Sequence, residues 1–300
     1  MKKLVVGLGE VLWDILPQRT QLGGAPANFA YMTRLFGDDG IVASRVGADE
    51  RGCEVRRRMQ DLGLPLTYVQ SDNEHPTGVV KVELDEKGHP RFEIAAGAAW
   101  DYIEWTPELQ CLAGKADAVC FGSLAQRSPV SHQTIRRFVA AARPETLKVF
   151  DVNMRQSYFS YEVLSESMKL ANIVKLNDEE LPKFMSLSNL GHVDELSSAK
   201  RLISLYDLDL VCLTRGCRGS LLVTRTESHE HRGFKIQVAD TVGAGDAFTA
   251  GLVHEYLRGA PLEGMNETAN LAGAWVASQV GATPMPKGEG LADILKKIGR

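Results

Sequence analysis

Short, continuous apolar runs recur along the chain, each closing on glycine or polar residues and followed by residues at helical spacing. Lys3 to Leu8, Ala116 to Gly122, Lys148 to Arg155, Ala171 to Asn177 and Leu208 to Thr214 have this form. It is the pattern of strands buried on both faces. Helices are expected between them: one to Phe36, where Gly37 stops it; one to Leu62; Pro129 to Ala142; Ser165 to Leu170; Ala244 to Leu257; and Glu267 to about Val280. Ser220 to Thr224 reads as a further strand and Val11 to Pro17 as extended chain. The rhythm breaks once. Thr77 to Leu84 alternates apolar and polar residues, turns at Asp85 to Gly88 and returns through Pro90 to Ile94, which is a hairpin with one apolar face.

Alternating strands and helices predict a single three-layer α/β/α domain over residues 1–300, with ligands beyond the carboxyl ends of the strands. The hairpin predicts a small projecting β-sheet, formed by about residues 11–22 and 76–99, that acts as a lid or a dimer contact.

Composition narrows the chemistry. The 300 residues are 44% hydrophobic and 24% charged with a net charge of −4, so nucleic acid is not the expected partner. Arg56, Arg57 and Arg58 read as a solvated helix face. Five scattered cysteines without a C-x-x-C spacing point to reduced thiols. His229 and His231 suggest either a metal pair or a wet loop, and the loop is preferred. No apolar run is long enough to span a membrane and the first residues do not form a signal peptide, so a cytoplasmic protein is expected.

The most informative stretch is Ala239 to Gly251, where Gly243 and Gly245 precede a helix that Asp246 enters. A helix opening there leaves unpaired N–H groups and the positive end of its dipole facing outward, which suits phosphate. Asp246 would repel a merely resident anion; it makes sense as a base for a hydroxyl that attacks phosphorus. A capped helix after a glycine turn explains the same residues, and both readings stand at this point. Elsewhere, Gly7-Leu8-Gly9 lacks the third glycine of a dinucleotide fingerprint, and no lysine is followed by Ser or Thr, which excludes a Walker-type loop. Asp14 sits in an apolar run, and Gly23, Gly24 and Asn28 form a turn and helix start suited to a hydroxylated ligand.

Gly23-Gly24 with Asn28, the Asn177 to Glu180 segment and Asp240 to Asp246 occur in the order found in ribokinase-type (PfkB) carbohydrate kinases, which the chain resembles over nearly its whole length. The segments Gly9 to Asp14, Gly24 to Asn28 and Asp151 to Arg155 are most similar to bacterial fructokinases. The resemblance implies a ribokinase-like fold and ATP-dependent phosphorylation of a sugar, fructose first, with a sugar acid such as 2-keto-3-deoxygluconate as the alternative. A non-catalytic sugar sensor or partner-binding protein is the rival from another class. Asp246 would be the base, the amides at Gly243, Ala244, Gly245 and Asp246 the anion hole, and Arg155 a contact to the phosphoryl group. Asp14, Gly23, Gly24 and Asn28 would bind sugar. Thr214, Gly216, Gly219 and Asn270 would line the nucleotide site, with Asn177 and Glu180 positioning hydrated Mg²⁺ and Asp240 holding a monovalent cation such as K⁺. Simpler roles remain for some of these: a helix cap for Asn177 and Glu180, a pairing with Asp151 or Glu179 for Arg155, and an inert helix position for Asn270. Trp13 either narrows the sugar pocket or packs under the lid, and Ala95 to Trp100 offers a lid few polar groups. The expected partners are therefore small molecules, with a homodimer through the lid sheet as a further expectation.

Overall fold

The structure, a computed structural model, describes residues 1–16, 19–84, 90–191, 193–286 and 288–299; the expected turn at Asp85 to Gly88 lies outside them. β1 (Leu4–Leu8) runs into the first glycine turn, followed by β2 (Leu12–Leu16) and β3 (Arg19–Gly23). α1 (Ala25–Leu35), with Pro26 in its first turn, leads to β4 (Asp39–Gly47). α2 (Glu50–Asp61) begins where the Asp49 carboxylate accepts the amide of Gly52 at 2.7 Å, and β5 (Val69–Asp72) follows. The alternating segment forms β6 (Gly78–Leu84) and β7 (Pro90–Ile94).

The second half keeps the strand–helix rhythm. α3 (Pro107–Ala113), β8 (Ala118–Gly122), α4 (Pro129–Ala141) and β9 (Leu147–Asp151) are followed by α5 (Tyr161–Leu170) and β10 (Ile173–Asn177). Next come α6 (Glu180–Leu187), α7 (Glu195–Tyr206), β11 (Leu210–Thr214), β12 (Ser220–Val223) and β13 (Ser228–His231). The chain closes with α8 (Ala244–Tyr256), α9 (Leu262–Ala277) and α10 (Leu291–Ile298). Among the helices, α3, α7 and α10 were not anticipated from the apolar pattern, nor were the strands β5 and β13. Both α3 and α7 carry a side-chain cap, Thr106 accepting from Leu109 and Asp194 from Ser197. Two helices start earlier than expected, α5 at Tyr161, capped by Ser160, and α9 at Leu262.

The main sheet has the order β13-β12-β11-β10-β9-β8-β1-β4-β5, parallel throughout except for β12 and β13. From β1 the chain moves outward to β4 and β5, then returns to β8 on the other side. The carboxyl ends of β1 and β8 therefore flank a switch point, where a crevice opens. Phe121, Phe138, Phe150 and Phe184 fill one face of the sheet; Phe29, Met32, Phe248 and Trp275 fill the other. Each such burial stabilises the fold by roughly 1.5–3 kcal/mol. These two cores make the three layers.

The small sheet has the order β3-β2-β6-β7, and a parallel pairing of Leu12 with Gly78 joins its two chain segments. It is anchored at two tryptophans. Trp13 is buried and donates its indole N–H to the Arg51 carbonyl at 3.1 Å, so it packs against α2. Trp100 is fully buried beneath the Arg127 guanidinium, 4.0 Å from the ring centre, and Arg127 grips Asp101 through two bonds of 2.8 Å. Ala98, Ala99 and Trp100 are thus occupied with packing, whereas Ala95 and Ala96 stay exposed. Among the described residues no helix is long and apolar enough to cross a membrane.

Candidate active site

Beyond the ends of β1, β8, β9 and β10 the chain gathers Glu10, Asp151, Asn153, Asp246 and Thr249 around a cavity of about 10 Å³, room for roughly one water. Gly243 takes a positive φ of 79° and starts α8; a side chain there would collide with Ala282, so only glycine lets this turn close. The amides of Gly243, Gly245 and Asp246 meet no acceptor among the described residues, whereas Ala244 donates to the Thr241 carbonyl at 3.2 Å. Three of the four amides assigned to an anion hole are free for it, and Ala244 is committed to the turn.

Asp246, half-buried in the first turn of α8, accepts a 2.8 Å hydrogen bond from the Asn28 amide of α1. Burial, followed by the charge of Asp151, pushes its pKa up to about 7, against the pull of Asn28, Lys175 and Arg155. Asn28, expected as a sugar ligand, therefore also orients the Asp246 carboxylate. Its remaining Oδ1 is buried without a partner, an acceptor waiting for a hydroxyl. Glu10, buried nearby, is likewise raised to about 7, first by burial and then by Asp246, and its Oε2 has no partner.

On the small-sheet side Asp14 is paired with Gln21 in the β2–β3 register, and its carboxylate lies so close to Gly23 that any side chain there would strike it. Burial pushes Asp14 up to about 6, opposed by the charge of Arg155 and by the neighbouring Gln21 amide. Gly24, with φ of 107°, forms the N-cap of α1. Arg155 is exposed and forms neither of the simpler alternative pairings with Asp151 or Glu179; instead its charge is felt at Asp14, Glu10 and Asp246. Asp240 accepts amides from Val242 and Gly281, each at 3.1 Å, and is ion-paired with Arg19 of β3. That guanidinium stands where a monovalent cation was expected.

Asn177 and Glu180 form a reciprocal cap on α6. Asn177 Oδ1 accepts the amides of Glu179 and Glu180, while Glu180 accepts those of Asn177 (2.9 Å) and Met154 (2.7 Å). Their free capacity is the Asn177 amide nitrogen and second lone pairs on Glu180, which suits holding the waters of a hydrated ion better than direct ligation. Among the described residues no three His, Cys, Asp or Glu side chains form a ready metal cage. Thr214 and Gly216 lie together at the end of β11, and the space above Gly216 is open. Gly219 instead packs against the His231 carbonyl. Asn270 is not brought to open space. It is buried and spends its amide nitrogen on Ser220 and Asn266, tying α9 to β12.

His229 and His231 sit on β13 and not in a loop. His231 pairs with Glu267 at 2.9 Å and His229 meets Asn266, so they do not converge on a metal. Sequence reasoning gave no role to Lys175, Glu10, Gln21 or Arg19. A lysine inside an apolar strand was the available signal for Lys175, because a buried ammonium needs a partner.

Comparison with known proteins agrees with this arrangement. A fructokinase of Escherichia coli is 30% identical over 258 residues, 82% of each chain. An ATP-dependent ribose-1-phosphate kinase of Halopiger xanaduensis is 28% identical over 98% of each chain. The crystal structure of an uncharacterized sugar kinase from Pyrococcus horikoshii in complex with ATP superposes with a TM-score of 0.82 at 26% identity, over 98% of this chain and all of that one. The pattern of the pfkB family carbohydrate kinases matches residues 17–288, and the chain belongs to that family.

Proposed function

We propose that this carbohydrate kinase transfers the γ-phosphate of ATP to the primary 6-hydroxyl of fructose. The observation that carries the reaction is the set of three unpaired amides at the start of α8 beside an Asp246 tuned to about 7. The hydroxyl proton passes to Asp246, the hydroxyl oxygen bonds to the γ-phosphorus, and the bond to the β-phosphate oxygen breaks to release ADP. The amides of Gly243, Gly245 and Asp246 take the charge on the transferring oxygens, where fixed donors cost no reorganisation. Arg155, unpaired and exposed, lies where it can meet the same group. Asp14, Gln21 and the free Oδ1 of Asn28 bind sugar hydroxyls.

Mg²⁺ carried by the nucleotide supplies charge neutralisation on its phosphates, and Asn177 and Glu180 hold its water shell. Thr214 and Gly216 border the nucleotide. A monovalent ion at Asp240 has to displace Arg19, so any K⁺ requirement is linked to the position of β3. The sheet of β2, β3, β6 and β7 serves as a lid that excludes water; its edge strands are the expected contact in a homodimer.

Fructose rests on the family neighbours and on a cleft rich in hydroxyl partners. The exposed Arg155 favours a second reading, a sugar acid whose carboxylate it would pair. Coupled ADP release across fructose, ribose, nucleosides and 2-keto-3-deoxygluconate decides between them. Preference for the keto acid, abolished in Arg155→Ala, selects the second reading, and no response to any sugar removes the kinase reading.

A further inference from the structure

A buried ion pair lies directly behind the amides of α8. Lys175 is on β10 between the fully buried Val174 and Leu176, and the parallel register sets it opposite Asp151 of β9. Its ammonium donates to both Asp151 oxygens at 2.8 Å and to nothing else among the described residues. A Cβ built on Gly245 would lie 3.5 Å from that ammonium, so the charge abuts the first turn of α8. Thr249, one turn further along α8, closes the contact: its hydroxyl lies 2.9 Å from the Gly245 carbonyl and 3.4 Å from Asp151.

Stability alone does not account for such a pair, because well-packed apolar residues in its place are often as stable or more so. We propose that Lys175 is a positioning residue for phosphoryl transfer, a fixed interior cation that backs the free amides of Gly245 and Asp246 and holds the base in register with them. The inference rests on the kinase reading. The groups facing Asp246 are Asn28 from α1, Glu10 after β1, Cys120 on β8, Asp151 on β9, Arg155 beyond it and Lys175 on β10. Asp151 raises the Asp246 pKa more than Lys175 lowers it. Removing Lys175 alone therefore moves the titration up, and removing both moves it down.

The test compares Lys175→Met with Lys175→Met/Asp151→Leu in the full chain, after sugar turnover by the unaltered protein has been established. The expected result is a loss in kcat of about 100-fold in both variants, with both KM values within about threefold. Thermal stability lost in the single variant returns in the double, and kcat does not. The titration of Asp246, followed by carbon NMR without any substrate, shifts upward in the single variant and below the unaltered value in the double. Turnover that recovers together with stability, or an Asp246 titration unmoved in both variants, overturns the assignment. Failure of the unaltered protein to phosphorylate any sugar overturns the kinase reading instead, and the NMR shifts still judge the electrostatic role.

Discussion

The two walls of the cleft are built differently. On the side proposed for the reaction, Asp246 stands on α8 against the main sheet, held by Asn28 and backed by an interior ion pair. On the side proposed for the sugar, Asp14 and Gln21 stand on a sheet of short strands anchored through Trp13 and the Arg127 cluster. Fixed charges on a rigid frame suit a step common to the family. A smaller, separately attached sheet can change its side chains without disturbing that step. The difference explains why phosphoryl transfer is easier to recognise here than the sugar.

Substitutions on each side should separate these roles. Asp246→Asn should lower kcat by about a thousandfold while sugar binding measured by calorimetry survives; near-normal turnover would remove Asp246 as the base. Arg127→Ala leaves Asp101 buried and unpaired, so denaturant unfolding should show a loss of about 3 kcal/mol. Its effect on kcat per folded molecule should be small, which tests whether the anchor only supports the sheet. Asp14→Asn should raise the sugar KM by about 10–100-fold with kcat little changed. A matching fall in kcat would mean that the sugar wall also shapes the transition state.

The pH dependence sharpens the comparison. To serve as the proposed base Asp246 must be ionised, and its pKa is raised to about 7. kcat/KM should therefore fall about tenfold per pH unit well below that value. Stability moves the other way. Asp246 keeps its proton to about 7 when folded but loses it near 4 when unfolded, so the folded state binds more protons across that window and stability falls as pH rises through it. Asp246→Asn should gain about 1 kcal/mol over the unaltered protein at pH 8, read from urea melts. Smallest is Arg19→Ala: its pair with Asp240 is partly solvated, so a change of only about two- to fivefold in sugar KM is expected.

Much of this was legible in the chain. The strands β8, β10 and β11 are continuous apolar runs, and the β6–β7 hairpin shows its period of two. Asp246 was legible because glycines, a helix start and a carboxylate coincide. Other features depend on distant partners. β13 reads Ser228-His229-Glu230-His231, with no apolar signal; it is a strand because β12 offers an open edge. The register that sets Lys175 opposite Asp151 is fixed by packing across the sheet, which local patterning does not encode. Arg19 lies 35% exposed on a polar strand, and only the closing of the small sheet against Asp240 gives it a partner.

The parallel pairing of Leu12 with Gly78 also orders events during synthesis. Leu12–Leu16 leaves the ribosome long before Gly78–Leu84, and β4, α2 and β5 are made in between. At about 5–20 residues per second, the N-terminal hairpin waits several seconds with one edge uncovered. An open edge bearing Leu12, Trp13, Ile15 and Leu16 is a template for pairing with another nascent chain. The strand that carries Asp14 is thus also a segment exposed to mispairing during translation.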